Sequence, residues 1–143
     1  MKRAVVALML AALAAPVFAQ AAARAENEPD LMLMLLRYVD RFNKGDAAGL
    51  ANGDVYVRAD QAALDAKFKE LRADSFGRLE VYSTDFCAAG PDKGKALMKY
   101  ARLYTFGGKM NDDEAKVFDL VKTPEGWRIS GEADTPFDTT LSC

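Results

Sequence analysis

An α+β domain, with helices packed on one face of a strongly curved antiparallel sheet, is the fold class that this sequence predicts. Apolar residues recur at helical spacing through the first part of the chain, and the period changes from 3.6 to 2 after Gly77. Four strand-like runs follow, separated by short turns rather than by crossover helices, which is the pattern of an antiparallel meander. Runs near 9 to 12 residues are long for a small flat sheet. They predict a sheet that curls around the first helix.

The chain opens with Lys2 and Arg3, an uncharged apolar stretch from Ala4 to Ala15, and Val17-Phe18-Ala19, which fits the small-x-small rule for cleavage before Gln20. The stretch is about 12 residues, short of the ~18 that a spanning helix needs. Residues 1–19 therefore read as a cleaved secretory signal peptide, with a second candidate site among Ala21, Ala22 and Ala23. No cysteine follows the apolar stretch, which argues against a lipid anchor. The mature form expected is an exported, periplasmic or secreted chain of about 124 residues with no membrane span. Losing two cations takes its net charge from −2 to about −4.

Residues 20–29 form a small, polar lead-in expected to be flexible. Asn27-Glu28-Pro29-Asp30 starts the first helix, supplying a capping side chain, a proline for the first turn and acids for the positive helix end. Leu31, Leu35, Tyr38 and Phe42 form its buried stripe, widened by Met32, Leu36 and Val39, and Met32 and Met34 read as core filler. Gly45 suits a left-handed stop. Asp46 restarts a short helical turn through Leu50, and Asn52-Gly53 breaks the chain. Val55 and Val57 predict a small strand. Asp60 then caps another helix, with Leu64, Phe68 and Leu71 inward.

The first long strand runs from Leu79 to Cys87 and ends in Gly90-Pro91-Asp92-Lys93-Gly94. In the second, Ala96, Met98, Tyr100, Arg102, Tyr104 and Phe106 share one face, with Leu97, Ala101 and Leu103 on the other. Gly107-Gly108 and Asn111-Asp112-Asp113 end it. Glu114 to Lys122 is the third, Thr123-Pro124-Glu125-Gly126 the next turn, and Trp127 to Gly131 the fourth. Residues 30–132 thus make the folded domain. Residues 133–143 read as an irregular tail, since Pro136 is unfit for a central strand.

Composition excludes several chemistries. The chain has 143 residues and no histidine, which removes a Ser-His-Asp triad, a His-activated cysteine, a His-ligated zinc and a histidine pH switch. Cys87 and Cys143 cannot by themselves form a four-thiolate metal site or an iron–sulfur cluster. In an oxidising compartment they read instead as a disulfide, worth roughly 4 kcal/mol in the chain-entropy model. The pI near 5.2 and dispersed Lys and Arg make nucleic acid an unsuitable partner. Asn111-Asp112-Asp113-Glu114 lacks EF-hand spacing and reads as a solvated hairpin loop, so neither a metal nor another cofactor is expected.

This order of elements resembles the nuclear transport factor 2-like, or cystatin-like, superfamily, whose long first helix and shorter helices sit in a cone formed by a bent sheet. The resemblance is most specific at Arg37-Tyr38-Val39, Asn43, Gly45-Asp46 and Gly49-Leu50, which are similar to the first-helix signature of ketosteroid isomerases. The Gly126-Trp127-Arg128-Ile129 ending is also usual in the superfamily. The implied arrangement is a cone, α-α-(β)-α-β-β-β-β. The superfamily includes isomerases, dehydratases, transport factors and binding modules, so the resemblance implies a fold more sharply than a function.

Under the isomerase resemblance, Tyr38 stands at the oxyanion tyrosine and Asp60 is the nearest acid for the base. Periodicity reads Tyr38 as a core aromatic and turn chemistry reads Asp60 as a cap. The family's protonated acid aligns with Phe118, and the neighbouring acid Asp119 would face the other way on a strand. On the next strand, Tyr38's candidate companions Tyr100, Arg102 and Tyr104 form an aromatic face with one cation, suited to an anionic ligand group, to a protein interface or to an ordinary sheet face.

The expected function is an exported non-catalytic module binding a small hydrophobic or anionic molecule, or an envelope protein, with a homodimer through the open sheet face suggested by the superfamily. The alternatives are an isomerase- or dehydratase-like enzyme using Tyr38 with Asp60 or Asp119, and a pure protein–protein interaction module.

Overall fold

The structure is a computed structural model describing residues 23–24, 28–105 and 111–142. The expected signal peptide with its cleavage before Gln20, Asn27, Phe106, Gly107-Gly108 and Cys143 lie outside the described residues. The elements are β1 (Ala23–Arg24), α1 (Pro29–Lys44), α2 (Ala47–Leu50), α3 (Gln61–Ala73), β2 (Phe76–Ala88), β3 (Lys93–Tyr104), β4 (Asp112–Thr123) and β5 (Gly126–Thr135). Their strands form one antiparallel sheet in the order β1-β2-β3-β4-β5. The architecture is α+β, helices on a curved sheet, as expected. Among the described residues no helix is long and apolar enough to cross a membrane.

On α1, Leu31, Met34, Leu35, Tyr38 and Phe42 are buried against the sheet. At ~1.5–3 kcal/mol for each large apolar side chain buried, this stripe dominates the helix's placement. Met34 is buried as the core filler expected, and the stripe is corrected on its flank, where Leu36 is 59% exposed. Its start is also corrected. Glu28 is the N-cap and makes no side-chain capping bond, so Pro29, which has no N–H to satisfy, opens the helix. Gly45 closes it at φ 65°. Asn43 then fixes α1 to the sheet, accepting from Leu79 N at 2.7 Å and donating to Leu79 O at 3.2 Å.

Asp46 caps α2 by accepting from Gly49 N at 2.8 Å, and Asp60 caps α3 by accepting from Ala63 N at 3.1 Å. Between them the small strand expected at Val55 and Val57 is reduced to a single parallel bridge from Tyr56 to Ile129. Two backbone bonds make it, Val57 N to Ile129 O and Ile129 N to Val55 O. Asn52-Gly53 and the approach to the Asp60 cap leave no room for a longer ladder.

Three further boundaries move. Ala23–Arg24, expected in a flexible lead-in, pairs with Phe86 and Asp85 on the edge of β2. At its start β2 reaches back to Phe76. At the other end of the sheet, β5 runs on through Glu132 to Thr135, inside the part expected to be irregular, and Pro136 follows it. Register shifts at Phe76/Arg78 and Val81/Ser83 in β2 and opposite Asp119/Leu120 in β4 bend the strands. The concave face therefore wraps α1, and its narrow end is solid: Phe86, Ala96, Leu120, Trp127 and Ile129 join the buried core.

Candidate functional site

Strand alternation decides what faces the helices. On β3 the inward residues are Ala96, Met98, Tyr100 and Arg102, and their neighbours on β4 are Phe118, Lys116, Glu114 and Asp112 in the antiparallel register. Toward the wide end these side chains become polar, and α3 crosses over them without closing the space. A cavity of about 280 Å³ remains. Tyr38, Phe42 and Tyr100 give it aromatic walls, and Leu71 and Leu79 aliphatic ones. Lys67, Arg102 and Lys116 bring cations to it, and Glu70, Asp74 and Asp134 bring acids.

A second cavity of about 260 Å³ adjoins the first across Lys67 and is lined by Tyr56, Arg58, Asp60, Leu64 and Glu132 among others. The bridge of Tyr56 to β5 puts its hydroxyl in reach of Glu132, to which it donates at 2.7 Å. Lys116 donates to the other oxygen of Glu132 at 3.1 Å and lies 3.8 Å from Asp134. Its side chain is only 7% exposed, so this pairing is what makes its charge tolerable there. On the neighbouring strand Arg102 donates to Glu114 at 2.7 Å, and the Tyr100 hydroxyl donates to the same carboxylate at 3.0 Å.

These environments set protonation. Burial, reinforced by the negative charge of Glu132, pushes the Tyr38 hydroxyl well above the ordinary tyrosine range, and the same causes raise Tyr56. Tyr100 is raised by burial and then by Glu114. All three stay protonated donors at neutral pH. Lys67 moves the other way. Its burial, and then the positive charge of Lys116, lower its pKa, while Glu132 and Asp134 oppose the shift. Its ammonium lies 5.5 Å from the centre of the Phe42 ring.

Tyr38, Tyr100 and Arg102 meet in the main cavity. Tyr104 does not line it; its hydroxyl donates to Asp112 at 3.2 Å. Asp60 stands at the wall of the second cavity, its carboxylate occupied in capping α3. Asp119 is on the outer face, next along the strand from buried Phe118, with its side chain 61% exposed and 3.9 Å from Lys95. The acids expected in a solvated hairpin loop mostly belong to β4, where Asp112, Asp113 and Glu114 accept from Tyr104, Tyr82 and Tyr100. Among the described residues no group of three or more His, Cys, Asp or Glu is placed to hold a metal ion.

Sequence reasoning missed Tyr56, Lys67, Lys116 and Glu132. The alternation of β4 carried a usable signal for Lys116, which sits two residues before the buried Phe118 on the same face. Nothing comparable marks Glu132, because the polar half of β5 has no hydrophobic alternation.

No family profile and no curated protein sequence matches the chain. Solved structures do. One is an NTF-2-like protein of unknown function from Shewanella oneidensis MR-1, with TM-score 0.59 and 13% identity, covering 76% of this chain and 98% of that one. Another is an NTF2-like protein with a cystatin-like fold from Novosphingobium aromaticivorans, with TM-score 0.57 and 19% identity, covering 80% of this chain and 84% of that one. The chain has the NTF2-like, cystatin-like fold.

Proposed function

We propose that this NTF2-like fold serves as an exported binding module, holding a small molecule in its concave cavity without turning it over. The observation that carries this is the cavity of about 280 Å³ at the wide end of the sheet, where aromatic and aliphatic walls meet six charged side chains. Two of the nearby carboxylates support binding over turnover: Glu132 is held by Tyr56 and Lys116, and Glu114 by Arg102 and Tyr100. A base for proton abstraction would have to leave such a partner first. The isomerase- or dehydratase-like alternative draws less support, since Asp60 caps a helix and Asp119 lies across the sheet from Tyr38.

Export, cleavage near Ala19 and a Cys87–Cys143 disulfide belong to the same proposal. Cys87 is buried on the outer face of the sheet, paired with Lys95. The segment leading toward Cys143 returns to that face, where the Phe137 ring lies 6.0 Å from Tyr82 and 5.4 Å from the Lys99 ammonium. This route supports a cross-link there.

Native mass spectrometry of the mature protein, purified from its own envelope compartment, tests the reading against the denatured mass. The expected result is a bound small molecule that is missing from Leu71→Trp, whose indole would fill the cavity. A bare mass for the unaltered protein overturns it. A stoichiometric protein partner in place of a small molecule would turn the assignment to protein–protein interaction, and the same spectrum reads the homodimer.

A further inference from the structure

Two cationic side chains reach this cavity from opposite walls. Arg102, on β3, gives Nη2 to Glu114 at 2.7 Å, but its Nε is buried with no hydrogen-bond partner. Lys67, on α3, makes no ion pair among the described residues, whereas Lys116 has Glu132 and Asp134 and Arg102 has Glu114. A half-buried cation with no ion-pair partner leaves a charge that an anion can neutralise.

We propose that the cavity binds a small monocarboxylic acid, its carboxylate pairing with the Lys67 ammonium and the accessible part of the Arg102 guanidinium. The inference rests on the small-molecule reading above and names the chemical class. A carboxylate is favoured because two separate cations suit its two oxygens, and because Lys67 has no ion-pair partner among the described residues while the lining acids Glu70, Asp74 and Asp134 are exposed to solvent. The rest of the molecule lies against Tyr38, Phe42, Leu71 and Leu79, so it is an apolar ring or a short chain. A volume just under the ~300–1,000 Å³ of drug-sized pockets restricts it to about one ring.

Binding is then coupled to protons. Lys67 faces Lys116 of β4, Glu132 and Asp134 of β5 and Arg102 of β3, with Tyr38 of α1 and Glu70 of its own helix also at the cavity. The empty site depresses the Lys67 pKa through burial and Lys116. A bound carboxylate adds an opposite charge and raises it, so the protein takes up protons on binding wherever the free ammonium is partly deprotonated.

Calorimetric titration of the mature protein with benzoate and with neutral benzamide, in buffers of differing ionisation enthalpy on the alkaline side of neutrality, tests this. The expected result is binding of benzoate at least tenfold tighter than benzamide, with proton uptake. Lys67→Met loses that preference and the uptake, and Arg102→Lys, which retains a charge for Glu114 but lacks the planar guanidinium, weakens benzoate binding about tenfold. Equal affinity for the two probes, or a neutral molecule in the native mass spectrum, overturns the carboxylate assignment and leaves the binding module standing. Absence of binding by either probe together with a bare native mass overturns both.

Discussion

Asp54 and Lys67 illustrate how single residues are tuned in opposite directions. Asp54 forms a bidentate pair with Arg41, whose Nη2 donates at 2.9 Å, and Arg37 adds a longer contact at 4.0 Å. The hydrogen bond from Arg41 is the largest cause holding the Asp54 pKa below its ordinary 3.8. A carboxyl depressed in the folded state stabilises fully above that ordinary value, and the contribution is lost as pH falls through the folded pKa. The side chain is 30% exposed, so screening keeps the effect near ~0.5–1 kcal/mol. Urea unfolding should find Asp54→Asn weaker than the unaltered protein by that amount at about pH 7, with the difference vanishing near pH 2; an equal deficit at both would remove the charge argument. For Lys67 the sign reverses: its folded pKa is lowered, so its burial opposes folding at neutral pH and is relieved as pH rises through the folded value toward 10.5. A binding residue that costs stability is an ordinary trade-off. The burial of Tyr38 was legible from helical period, and strand period put Tyr100 and Arg102 on one face without saying whether that face turned inward. Lys67 was not, because a lysine on a helix reads as solvated until the facing strands are known.

At the scale of elements, the short connections matter more than their length suggests. α2 is a four-residue turn whose Leu50 is fully buried, and Arg41 of α1 donates to Gly49 O at 2.8 Å as well as binding Asp54. Gly49 has to be glycine: a Cβ there would lie 2.2 Å from Asp46 Oδ2 and 3.1 Å from Arg41 Cδ. Gly49→Ala should therefore dislodge the Asp46 cap and cost about 1–2 kcal/mol, measured by the urea midpoint; an unchanged midpoint would mean the turn adapts. The helices α1 and α3 and the four long strands were readable from their apolar periods and turn residues. Other features were not. The strand at Val55 shrank to one bridge, and β5 gained Glu132 to Thr135, whose own side chains are polar or small while their ladder partners Phe118, Val117, Lys116 and Ala115 lie on β4. Hydrophobic alternation cannot report a segment paired in that way.

For the whole molecule, the two faces of the sheet have different fates. The concave face is core at one end and cavity at the other. On the convex face Cys87, Leu97, Ala101 and Ala115 are also buried, outside the main core, and Phe137 returns to the same face. If the proposed disulfide closes the loop from Cys87 to Cys143, reduction should lower stability by up to roughly 4 kcal/mol, and Cys87→Ser should show the same loss with no further effect of reductant. Calorimetric melts with and without reductant measure this, and identical midpoints would dismiss the cross-link. The α+β order, the strand count beyond Gly77, the residues that share a face of β3 and the exclusion of histidine chemistry were determined by the sequence itself, because backbone periodicity and residue chemistry are local properties. The tertiary structure alone decided that Tyr56 reaches Glu132, that Lys116 is buried between two acids, and that Lys67 and Arg102 look into one cavity. Each of those depends on sheet curvature and on where α3 crosses the sheet, which are set by contacts between residues far apart in the chain.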